Sequence, residues 1–290
     1  MLSWDLVTRC GAIAITVVLV WLLGSGRYWV GLVISFGLAH YLLSFYYAAG
    51  RMRGLVASPT LALPLVSLGL LLLVVYFLKF PLPIYFGIHH ACNEGYLRRY
   101  HHQANGTADP QLPAFRTLFH LAAYLCILRH DAYVGQVPEI WLWLLLAVSG
   151  LLYTRQLLIA NQSLQGLSRL RDSSVEWLVL GVVGLSLLVK VTFLQMVMYH
   201  FVLWTIVPIP VLRAAGTNKL SEYALLSVGT LGLFAALTIS QLGSNLVPLS
   251  AVYSQFYFWS YVHITASFAL SAAHPDWIVR LFRLPQAQSG

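Results

Sequence analysis

Long apolar stretches, broken at short intervals by a few polar residues, run along almost the whole chain. A run of about 20 apolar residues is enough to cross the hydrocarbon core of a bilayer as a helix. Runs of this kind predict helical spans at 9–24, 28–49, 58–79, 82–99, 114–130, 138–160, 174–190, 192–212, 220–242 and 248–273. The fourth and fifth are short or polar, and the seventh parts from the eighth only at a turn around Lys190. The longest connections, 100–113 and 161–173, hold the Gly, Pro, Asn and Asp that mark loops. The pattern predicts an all-α fold: a polytopic transmembrane helical bundle of about ten spans, a single integral membrane domain over residues 1–290.

Composition points the same way. Of 290 residues, 59% are hydrophobic and 9% charged, whereas a soluble domain carries about 25% charged residues. The formal charge of +8 reads as basic loops beside an anionic membrane face. No basic cluster with interleaved aromatics points to nucleic acid. Ten spans leave only Arg27, Lys79, Arg129 and Lys190 on one side, with the other thirteen of the seventeen Lys and Arg on the side of both termini. The positive-inside rule makes that side cytoplasmic. One long span over 174–212 would weaken this bias. The first apolar run is read as an uncleaved span rather than a signal peptide, and the protein as a multi-pass protein of a bacterial inner membrane or an equivalent one. Cys10, Cys92 and Cys126 form no CxxC pair, so neither a disulfide framework nor a zinc site is indicated.

Against this apolar background, "YFGIHHACNEGYLRRYHH" places ionisable groups inside a span. His40, His90, His200 and His263 lie in the second, fourth, eighth and tenth spans, each nine to twelve residues before its cytoplasmic end. That is roughly 14 to 18 Å deep at 1.5 Å per residue. Glu94 is the one carboxylate within a span away from its first turn, and it shares a helix face with His90 four residues earlier. Ionisable residues at such depth face the protein interior and mark functional sites. Imidazole and carboxylate together suit iron and other transition metals. The predicted metal ligands are His40, His90, His200, His263 and Glu94, with His89 as hydrogen-bond partner or alternate ligand. Glu94 is read as a ligand, as a partner that orients a ligand, or as a catalytic proton shuttle. His120 is a second-tier candidate, and His101, His102, His130 and His274 read as interfacial. For each histidine taken singly, a packed polar core is the competing explanation.

No G-x-G-x-x-G, Walker loop, H-E-x-x-H, G-x-S-x-G or C-x-x-C-H occurs. Bis-histidine ligation of haem b in an electron-transfer protein needs only two facing histidines. A proton or metal transporter would use the same His and Glu as a relay.

With His40, His90, His200 and His263 read as a four-histidine cage, the layout resembles the Brp/Blh family of membrane carotene-cleaving dioxygenases. That resemblance implies a helical membrane fold whose histidines, drawn from several spans, hold one non-haem iron. "HHACNE" is its loose counterpart to the family's acidic residues. The expected activity is that of a non-haem iron oxygenase or oxidase, with one or two ions, acting on a lipidic or isoprenoid substrate from the bilayer. Any electrons it needs would come from an external donor.

Overall fold

In a computed structural model of the chain, the structure describes residues 4–24, 26–56, 62–104, 113–160, 173–244 and 249–270. Both termini, and so their side of the membrane, lie outside these residues, as do His274 and most of the two longest connections. So do the side chains of His101 and His102. Among the described residues there is no strand. The α-helices are α1 (Trp4–Leu23), α2 (Arg27–Val56), α3 (Ala62–Phe77), α4 (Leu82–Ala104), α5 (Pro113–Ile127), α6 (Glu139–Ala160), α7 (Ser174–Leu185), α8 (Phe193–Ile206), α9 (Ile209–Ala215), α10 (Thr217–Ser244) and α11 (Leu249–Leu270).

Each of the ten predicted segments coincides with a helix, and the eighth holds two. The break falls where Pro208 and Pro210 remove backbone donors and their rings crowd the preceding turn. The parting at Lys190 is present: α7 ends at Leu185, and Leu187 and Leu188 donate to Gly184 and Leu185 in a tightened last turn.

Five described segments are long and apolar enough to cross a membrane: Trp4–Leu23, Arg27–Tyr47, Glu139–Leu158, Phe193–Ala214 and Thr217–Ser240. By composition and length the chain is compatible with a multi-pass membrane protein. The others fall short for physical reasons. With 15 and 12 residues, α5 and α7 run only about 22 and 18 Å. By contrast α4 and α11, at 23 and 22 residues, are long enough but carry the histidines and their polar neighbours. Large apolar side chains cover the outer faces; Leu225 is 75% and Trp21 81% exposed. That is the expected dress of a lipid-facing helix.

The chain divides into two compact units. The middle unit is built mainly from Phe77–Phe193, and the flanking unit from Val7–Tyr76 and Leu194–Leu270. In the middle unit α5 packs on α4, α6 and α7. Gly87 lets α4 and α5 close: a Cβ there would stand 2.6 Å from the Tyr124 ring. The Tyr124 hydroxyl donates to the Pro83 carbonyl at 3.0 Å, fixing that ring. In the flanking unit α2 packs on α10 and α11. A Cβ on Gly37 would meet the Phe256 ring at 2.6 Å and the Phe201 ring at 3.0 Å.

Three arginines counted by charge alone as membrane-flanking are buried. Arg9 is 1%, Arg116 3% and Arg129 6% exposed. Arg129 closes the end of α5, donating to the Cys126 carbonyl at 3.1 Å and to the Ser186 carbonyl at 2.6 Å.

Gly87→Val is expected to destabilise the protein by about 1–3 kcal/mol through overpacking against Tyr124. Gly181→Ala, whose added Cβ meets nothing within 4 Å, is expected to leave the melting temperature in detergent unchanged or raised. Equal melting of both variants would contradict this packing.

Candidate functional site

The predicted site residues fall into two clusters. His40, His200 and His263 belong to the flanking unit, and His89, His90 and Glu94 to the middle unit.

In the flanking unit, α2, α8 and α11 each contribute one imidazole. The His40 ring centre lies 5.5 Å from that of His200 and 4.8 Å from that of His263, with ring planes at 80° and 68°. Aromatic packing holds the rings. Phe201 lies 5.2 Å from His40, and Tyr41 stacks on His263 at 4.7 Å and 26°. Tyr41 is itself fixed. Its hydroxyl is 2.7 Å from Ser260 Oγ, and Ser260 gives its own proton to the Phe256 carbonyl at 2.7 Å, so Tyr41 donates to Ser260. Gly37, one turn before Tyr41, is what brings Phe201 and Phe256 against α2.

His200 and His263 are buried, whereas His40 reaches the wall of a cavity of about 340 Å3. The cavity lies between α2, the α8–α9 corner and α10, among Phe36, Leu43, Trp204, Leu212, Val228 and Leu231. Ser44 and Tyr47 continue the His40 face of α2 along it, at one-turn spacing.

These distances bear on what the rings can hold. An imidazole bound at about 2.1 Å puts its ring centre about 3.2 Å from the ion. Two such ligands at angles of about 90 to 120° then have centres about 4.5 to 5.5 Å apart. The two His40 distances fall in that window. Axial ligands on opposite faces of a haem would stand about 6.4 Å apart by the same sum, farther than either His40 distance. Among the described residues, no three His, Cys, Asp or Glu side chains are placed to hold a metal ion.

In the middle unit the groups are acids and bases in sequence. His90 Nε2 lies 3.9 Å from Glu94 Oε1, one helical turn on. Glu94 Oε2 lies 4.0 Å from His120 Nδ1, and His120 Nε2 lies 3.9 Å from Glu176 Oε1. Arg116 Nε donates to Glu176 Oε1 at 2.8 Å, and the Tyr153 hydroxyl donates to the same oxygen at 3.0 Å. His89 pairs with Asn93 at 3.0 Å. All these residues are buried. Since His120 turns opposite nitrogens to two carboxylates, the four groups cannot close on one ion.

Sequence reasoning passed over Arg116, Tyr153 and Glu176. By chain position Arg116 is one more basic residue near a span's end, and Glu176 a first-turn carboxylate suited to the helix dipole. Glu176 is in the first turn of α7, yet it points inward. The available signal was Arg116 and His120 at i, i+4 in a short apolar helix, a polar stripe that asks for a buried acid.

No protein-family model matches the chain, and neither does any curated protein or solved structure.

Glu176→Gln leaves the Arg116 guanidinium buried without its carboxylate, and is expected to cost about 3–5 kcal/mol. Glu222→Gln, which removes the exposed 3.0 Å ion pair with Lys219 and leaves an amide oxygen for the Tyr46 hydroxyl, is expected to leave the melting temperature unchanged. Chemical denaturation of the two variants side by side measures the contrast.

Proposed function

We propose that the chain is a membrane-embedded, metal-dependent oxidoreductase, an oxygenase or oxidase of lipidic or isoprenoid molecules, with its centre in the flanking unit. The observation that carries this reading is the His40 ring, 5.5 Å and 4.8 Å from His200 and His263 on two other helices and beside an apolar cavity. His40, His200 and His263 would hold one non-haem iron, in keeping with the resemblance to Brp/Blh-type enzymes. Glu94, His90 and His89, in the middle unit, are not assigned to this ion. Bound there, iron would supply binding and activation of dioxygen.

The protein's own residues do the rest. Tyr41 and Phe201 keep the rings from drifting, and second-layer partners of this kind set the orientation of metal-binding imidazoles. The cavity takes the substrate. At about 30 Å3 per small group, it has room for roughly ten carbons, so a long isoprenoid would enter by one end. Its apolar walls favour a hydrocarbon chain, and the Ser44 and Tyr47 hydroxyls offer the few polar contacts that fix orientation in such sites. The ten-span arrangement with both termini cytoplasmic, in a bacterial inner membrane or its equivalent, is part of the same proposal, as is an external electron donor.

Detergent-purified protein is expected to carry near-stoichiometric iron and no Soret band. His40→Ala, His200→Ala and His263→Ala are each expected to lower iron content at least about tenfold while still inserting, and His90→Ala to retain it. Unchanged iron in the three variants, or a Soret band in the wild type, would sink the assignment.

A further inference from the structure

We propose that His120 is a proton-transfer residue, passing protons between the carboxyl groups of Glu94 and Glu176 inside the middle unit. This is independent of the metal centre proposed above, because its residues lie on α4, α5 and α7 of the other unit.

Imidazole can take a proton at one ring nitrogen and release one from the other. The structure sets each nitrogen of His120 against a different carboxylate on a different helix: Nδ1 towards Glu94 at 4.0 Å and Nε2 towards Glu176 at 3.9 Å. A histidine that only tethers helices needs one short hydrogen bond to lock it. Both of these separations exceed hydrogen-bond contact by about 1 Å, so neither nitrogen of the ring is locked to its carboxylate.

The neighbours fit the role. His90 extends the string beyond Glu94 at 3.9 Å, so acid and base alternate along four groups. At the other end Glu176 is fixed by Arg116 and Tyr153 on one oxygen, a stable anchor for the moving ring. Arg116 also reaches the Glu94 carbonyl at 3.5 Å. The charged and titratable groups that face His120 are Glu94 on α4 and Glu176 on α7, with Arg116 of α5 and Tyr153 of α6 on the Glu176 oxygen and His90 of α4 beyond Glu94. Glu176 is the third residue of its helix and His90 the ninth of its own. The string therefore runs from a residue in the first turn of one helix to a residue in the interior of another.

The step balances without electrons. Transfer from Glu176 to Glu94 starts from a proton on Glu176 Oε2, with Oε1 still accepting from Arg116 and Tyr153; the Oε2–H bond breaks as His120 Nε2–H forms. It then breaks Nδ1–H as the Glu94 O–H forms. One proton has moved, and His120 is left in the opposite tautomer, which the reverse step restores. A working relay samples both tautomers of His120, whereas a tether holds one.

Solid-state NMR of full-length protein labelled with nitrogen-15 histidine, in lipid bilayers, reads this directly. The His120 signals are identified by their loss in His120→Gln, or by correlation to neighbouring residues if that variant fails to insert. Both ring nitrogens of wild-type His120 are expected at tautomer-averaged positions. Glu94→Gln and Glu176→Gln are each expected to collapse them to one tautomer. A single fixed tautomer in the wild type overturns the proposal, and so does averaging that survives both substitutions. The wild-type spectrum decides the first point without any variant.

Discussion

A polar side chain withdrawn from water must find its partner within the protein, and in a chain this apolar few partners are available. The helices are ordinary apolar segments, and many could pack in several ways without a large change in buried area. The buried ionisable groups remove that freedom. Arg116 needs Glu176, and the 2.8 Å contact between them fixes α5 against α7 more specifically than any leucine contact could. Arg129 does the same at the other end of α5, through the Ser186 carbonyl and hydroxyl. The arrangement of the middle unit follows from where its charges can be met.

The two units meet that constraint differently. In the middle unit ionisable groups answer one another, carboxylate to guanidinium and carboxylate to imidazole. In the flanking unit three imidazoles stand mostly among aromatic rings, with Tyr41, Phe201 and Phe256 shaping the space. Rings packed against rings hold one another in orientation. A buried ion pair explains its own presence; three histidines from three helices, one of them on the wall of an apolar cavity, do not. That difference is why a ligand-binding chemistry is read into one unit and a proton chemistry into the other.

Much of the fold was legible in the residue pattern, since helix positions follow from hydrophobic run length and turn residues. Even the weak parting at Lys190 appears as a real break, and Pro208 explains the one unexpected break. Depth along a helix was legible as well, which is why His40, His200 and His263 were grouped before any packing was known. What depth cannot give is rotation about the helix axis and the choice of neighbour. His90 matched the others in depth, yet it shares a unit with Glu94 and His120 instead. Glu176 was hidden for the opposite reason. A carboxylate in a first turn has a sufficient local explanation, so nothing in the sequence asked for its buried arginine. Burial of Arg9 and Arg116 was equally invisible to a tally of charges by side.

X-ray absorption at the iron edge, on iron-loaded protein in lipid, tests the three-histidine centre most directly. The account predicts the multiple-scattering signature of about three imidazoles at the metal–nitrogen distance of roughly 2.1 Å, lost when His200 is replaced by alanine. A spectrum of oxygen scatterers alone, or one unchanged by that replacement, would contradict it.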